Sequence, residues 1–96
     1  MMDLHLMPDQ QDDNSEAYDW KSAYLGGIGL QEFHDAQEGN ILAHELDYYE
    51  DFRWSSEFVK KILSELIDAN NHSFFNLIKI LERAAKLDCG VYAVAD

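Results

Sequence analysis

A chain of 96 residues, 47% of them hydrophobic, can close one core without disulfides or metals, so a single domain over residues 1–96 is expected. Nineteen acidic residues against seven basic ones give a formal charge of -12 and a pI near 4.4. That balance argues against direct contact with nucleic acid, which needs clustered Lys and Arg to displace counterions from phosphates.

The charge is also unevenly placed. Residues 1–52 hold thirteen of the acids and one basic residue, Lys21, whereas residues 53–96 hold six of each sign and are neutral. Cys89 is the single cysteine, so no intramolecular disulfide can form and no oxidising compartment is implied. With the first lysine at position 21 the start lacks the basic region of a secretory signal, and no apolar run approaches a membrane span. A cytoplasmic protein without a membrane association is expected.

In chain order, Met2, Leu4 and Leu6 alternate with Asp3 and His5, a period of two that predicts a short strand ended by Pro8. Residues 9–15 are polar and predict a loop. Ser15 is placed to cap a short helix to Leu25, with Gly26 as its stop. The stretch Gly26-Gly27-Ile28-Gly29-Leu30 reads as a connection or a bulged strand. Residues 41–52 fit either a helix with Leu42, Leu46 and Tyr49 in register or a strand with Leu42, His44 and Leu46 on one face.

The neutral half is clearer. Phe58, Val59, Ile62, Leu63, Leu66 and Ile67 recur at helical spacing after Ser55 and Ser56, and Asn70-Asn71 ends that helix. A second amphipathic helix starts near Ser73, with Phe74, Leu77, Ile78, Leu81, Ala84 and Ala85 on its apolar face. The short connection predicts antiparallel neighbours. Gly90 is placed to cap the second helix, and Val91 to Ala95 reads as a strand buried on both faces. Its partner is expected to be Met2 to Met7 first and the Ile41 region second. The whole predicts an α+β domain: two antiparallel C-terminal amphipathic helices packed on a small sheet that contains the C-terminal strand.

Motifs that carry chemistry are scarce. His5, His34, His44 and His72 are scattered, and His44-Glu45 departs from a zinc protease signature because Tyr48 stands where the second histidine is needed. Gly27-Ile28-Gly29 does not continue into a dinucleotide loop, since Glu32 occupies the third glycine position and would repel phosphate. Cys89, at the C-terminal end of a predicted helix, faces the wrong pole of the dipole for a thiolate and reads as a small buried hydrophobe. No enzyme, cofactor or metal is predicted. The pairs Asp12-Asp13 and Glu50-Asp51 belong to a field of carboxylates, which weakens either as an acid and base couple.

The sharpest constellation is the run from Glu45 to Trp54, where Glu45, Asp47, Glu50 and Asp51 interleave with Tyr48, Tyr49, Phe52 and Trp54. Aromatic anchors among charges suit an interface with a basic partner, although core packing claims Tyr49, Phe52 and Trp54 equally well. The expected partner-binding set is Glu45, Asp47, Tyr48, Glu50, Asp51 and Trp54.

The run Leu81-Glu82-Arg83-Ala84-Ala85-Lys86-Leu87-Asp88-Cys89-Gly90, followed by a terminal apolar strand, resembles the end of the barstar-like toxin-immunity family. That resemblance implies a small α/β domain that blocks a secreted ribonuclease with an acidic helix and loop. The central binding motif of the family is absent, so no binding residue is carried over. Three functions follow as expectations: an immunity protein or antitoxin that blocks a basic nuclease-type toxin or other nucleic-acid-acting protein, a DNA mimic of the anti-restriction or anti-CRISPR kind, and a small acidic adaptor. An inhibitor needs a compact acidic cluster, whereas a mimic needs acids from Asp3 to Asp51 in one extended stripe.

Overall fold

The computed structural model describes residues 1–12 and 18–95. They form an α+β domain with four α-helices and a four-stranded antiparallel sheet. The elements run β1 (Met2–Met7), α1 (Trp20–Ala23), β2 (Tyr24–Ile28), α2 (Leu30–Glu38), β3 (Phe52–Trp54), α3 (Ser56–Ala69), α4 (Phe75–Lys86) and β4 (Gly90–Val94), with a 3-10 turn at His72–Phe74 before α4. The strand order is β2-β1-β4-β3. The two strands legible from their apolar patterns, β1 and β4, are therefore the central pair.

Alternation sends Met2 and Leu4 of β1, with Val91 and Ala93 of β4, into the core. Phe33 and Ala36 of α2, Val59, Ile62 and Leu66 of α3, and Leu77, Leu81 and Ala84 of α4 complete it. The other face of the sheet carries His5 opposite Tyr24 and Tyr92, and Tyr92 opposite Arg53. Trp20 of α1 packs edge-on to both His5 and Tyr92, each at 5.3 Å between ring centroids, and covers part of that face.

Helix α3 starts and stops where its capping residues allow. The Ser55 hydroxyl accepts from the Phe58 N–H at 3.2 Å, and Asn70, at φ 51°, closes α3 in the left-handed region. Ile67, whose spacing assigns it to the apolar face of α3, is instead 53% exposed. Gly90 does not cap α4. Asp88 takes the left-handed conformation (φ 52°), and Gly90 opens β4. It is needed there because a Cβ would lie 2.9 Å from the Met7 carbonyl oxygen and closer still to that of Trp54. The strand is pinched between both neighbours.

The acidic half departs further from its expected elements. The Ser15 cap lies outside the described residues. The helix that reaches Leu25 is one turn, Trp20–Ala23, capped by Asp19, whose carboxylate accepts from the Ser22 N–H at 3.2 Å and the Ser22 hydroxyl at 2.7 Å. Gly26 does not stop a helix. It sits inside β2 at φ 149°, next to a register shift between Leu4 and His5 on β1, so the bulged-strand alternative for this stretch is the one adopted. Helix α2 has no counterpart in the sequence reading, because Gly29 offers no side-chain cap and only Phe33 and Ala36 mark its apolar face. Residues 41–51 are neither helix nor strand.

Candidate partner-binding site

The stretch from Ile41 to Asp51 is an irregular loop held from both ends. Behind it, the Ile41 and Leu42 N–H groups both donate to the Ala36 carbonyl, and Gln37 Nε2 donates to the carbonyls of Ala43 and Leu46 at 3.0 and 2.9 Å. Leu42 is buried at 1% exposure. These anchors explain the ambiguous pattern: Leu42, Leu46 and Tyr48 are pegs of a loop that follow neither a helical nor a strand period.

Tyr48 is the decisive peg. Its hydroxyl accepts from the Met2 N–H at 3.1 Å and donates to the Ile28 carbonyl at 2.9 Å, tying the loop to the start of β1 and the end of β2. Its ring stands edge-on to Phe33 at 5.4 Å and to Tyr49 at 5.3 Å. Ahead of the loop, Asp51 Oδ1 accepts from the Ala95 N–H at 2.8 Å, just beyond β4. Between these ties Asp47 Oδ1 accepts from the Tyr49 N–H at 2.9 Å, and the Glu50 N–H donates to the Asp47 carbonyl at 3.1 Å, so the turn 47–50 is closed by its own bonds.

Of the predicted contact set, Glu45, Asp47, Glu50 and Asp51 are exposed and lie along this one loop. Tyr48 and Trp54 are core residues, at 8% and 5% exposure, which a partner cannot touch without opening the fold. Trp54 packs on Phe52 and Phe58, with ring centroids 5.0 and 5.7 Å away. Tyr49 is the aromatic that faces solvent, at 65% exposure. Nothing in the sequence separates adjacent tyrosines 48 and 49; only the hydroxyl's two backbone partners decide which one turns inward.

Asp3 extends the acidic surface. It is half-buried opposite Val94, two strands from the edge at which Asp51 meets Ala95, a separation on the order of 10 Å from the spacing of strands. Other first-half acids are drawn away into structural work. Asp9 receives the Ser56 N–H at 2.9 Å and the Ser56 hydroxyl at 2.6 Å, which caps the first turn of α3 from outside and holds the Asp9 carboxyl below its ordinary value. Glu32, buried at 9% exposure, receives the Leu77 N–H at 2.6 Å and Asn76 Nδ2 at 3.4 Å and so caps α4. The glutamate that excludes a phosphate loop is thus itself the anion at a helix N-terminus.

Cys89 is buried, and burial pushes its thiol above the ordinary value, away from a reactive thiolate. Among the described residues no group of three His, Cys, Asp or Glu side chains could hold a metal ion, and no helix is long and apolar enough to cross a membrane. Comparison with protein-family models, curated proteins and solved structures returns no match for the chain.

Proposed function

We propose that this is a cytoplasmic inhibitor of the immunity-protein or antitoxin type, which places its acidic loop over the basic cleft of a nuclease-type toxin or another nucleic-acid-acting protein. The reading rests on one observation: an exposed tyrosine, Tyr49, stands among the exposed carboxylates of Glu45, Asp47, Glu50 and Asp51 on a loop already pinned to the sheet. A surface ordered before binding avoids the entropy cost of ordering it later, and an aromatic ringed by charge is a frequent centre of binding energy. The sheet and its two C-terminal helices, taken as antiparallel, serve as scaffold, in the manner of the toxin-immunity family that the C-terminal segment resembles.

Four acids on one loop favour the inhibitor over the DNA mimic, since Glu32 is buried in the cap of α4 and is lost to any stripe. The test is binding to a panel of bacterial nuclease toxins, with neighbouring-gene candidates included, across a salt series. Inhibition of one member, weakened as salt rises, is the expected result. Tyr49→Ala is expected to lower affinity by on the order of tenfold, and Glu50→Lys with Asp51→Lys to slow association while leaving the fold intact. Salt-insensitive binding to neutral partners alone rejects the proposal, and unchanged kinetics in both variants moves the site elsewhere.

A further inference from the structure

Among the described residues, strand β2 lies at the edge of the sheet, bonded to β1 on one side only. Its residues, Tyr24-Leu25-Gly26-Gly27-Ile28, carry no charge and no proline, two of the features by which edge strands commonly discourage further pairing, while the register shift against Leu4 and His5 bends the strand. Beside its free edge runs a groove of about 300 Å³, floored by Gly26 and Ile80 and walled by Asn76, Lys79 and Arg83 of α4.

The groove is narrow at its floor because glycine permits a close approach. A Cβ on Gly26 would lie 3.3 Å from the Ile80 side chain, and its φ of 149° is one that other residues rarely adopt. The helix follows the strand in opposite order. Arg83 Nη1 reaches the Leu25 carbonyl at 3.4 Å, and Ile80 lies against Gly26. Asn76, Lys79, Ile80 and Arg83 fall at the spacing that sets them on one helical face.

The sign of this surface opposes that of the rest of the chain. Lys79 and Arg83 are exposed, and neither forms an ion pair with a carboxylate among the described residues; Lys79 Nζ rests 5.6 Å from the centre of the Phe75 ring. Two cations without a carboxylate partner among the described residues therefore border this strand edge, Arg83 resting on its Leu25 carbonyl, on a protein of charge -12.

We propose that the free edge of β2 takes an added strand from a partner, an extended peptide with Asp or Glu two residues apart whose carboxylates reach Lys79 and Arg83. The spacing matches: four residues of helix rise by about 6 Å, and alternate side chains of a strand stand about 6.8 Å apart. Backbone pairing supplies affinity and the two cations supply selection, the division of work found in strand addition generally. This surface is separate from the acidic loop, so either can fail without the other.

The test titrates ¹⁵N-labelled protein with a capped heptapeptide that alternates Val and Glu. Shifts are expected at the amides of residues 25–27 and 76–83. Lys79→Glu with Arg83→Glu, both exposed, should weaken binding at least tenfold with an unchanged circular dichroism melt. A Val and Lys peptide should not bind, and a probe N-methylated at alternate amides should lose binding. The proposal is overturned by an absence of shifts at millimolar peptide, by shifts confined to other surfaces, or by binding that survives N-methylation. It is equally overturned if the Lys79→Glu, Arg83→Glu variant self-associates through β2, which would make the two cations guards of the edge.

Discussion

The neutral half and the acidic half of this chain are built on different terms. From Arg53 onward, apolar periodicity defines α3 and α4 where they stand, and Ser55 and Asn70 cap α3. Before it, the elements are short and the side chains that matter are acids, which divide into two groups. Asp9 and Glu32 reach across to hold the N-terminal turns of α3 and α4, while Glu45, Glu50 and their neighbours remain in water. A count of charges cannot separate these groups. Part of the acidic excess completes the neutral half, and a larger part, Glu45, Asp47, Glu50 and Asp51 among it, is exposed.

The comparison can be broken most severely at the seam between the halves. Gly90→Ala drives a methyl group into the backbone carbonyls of Met7 and Trp54 and is expected to destabilise by about 3 kcal/mol or more, measured by urea unfolding. Glu32→Ala leaves the Leu77 N–H buried without its acceptor, with an expected cost of about 2 kcal/mol. Glu38→Ala on the exposed side of the same helix should stay within about 0.5 kcal/mol. Equal effects from the two would erase the distinction between structural and exposed acids.

Removal of the Tyr48 hydroxyl in Tyr48→Phe unpairs the Met2 N–H and the Ile28 carbonyl, a cost of about 1 to 2 kcal/mol. Hydrogen exchange at residues 45–51 should quicken, and an unchanged exchange pattern would show that the loop is held by its other ties. The mildest expected effect is that of pH. The Asp9 carboxyl is held below its ordinary 3.8 first by the Ser56 hydroxyl and then by the Ser56 N–H. Its contribution is therefore complete above that value and fades as pH falls through the lower folded one. Asp9→Asn should flatten the acid limb of the stability profile, and a parallel profile would assign that limb to other carboxylates.

These two terms of construction also explain what could be read in advance. β1, α3 and α4 carry a period because each buries one face, and the stretch that forms β4 is an unbroken apolar run, so in these stretches local pattern reflects burial. Helix α2 was not legible, since only Phe33 and Ala36 mark its apolar face and a further tie is a buried carboxylate, Glu32, that bonds to a distant helix and leaves no mark on local pattern. Loop 41–51 misled for a related reason: Leu42, Leu46 and Tyr48 are spaced by the path of the backbone between three pegs. At the candidate site the acids were legible by composition, but the inward turn of Tyr48 and Trp54 and the outward turn of Tyr49 were decided by contacts with Met2, Ile28 and Phe58.

The pairing of β1 with β4 has a consequence for how the molecule comes into being. Asp3 meets Val94 and Leu4 meets Ala93, so the two middle strands are separated by nearly all of the described residues, and one is synthesised well before the other. Until β4 emerges, β1 has β2 alone, β3 has no strand to join, and the helices have half a sheet to cover. The ribosome must therefore release nearly all of these residues before the core can close, and folding should be late and abrupt, governed by the slow search that distant strand pairs require.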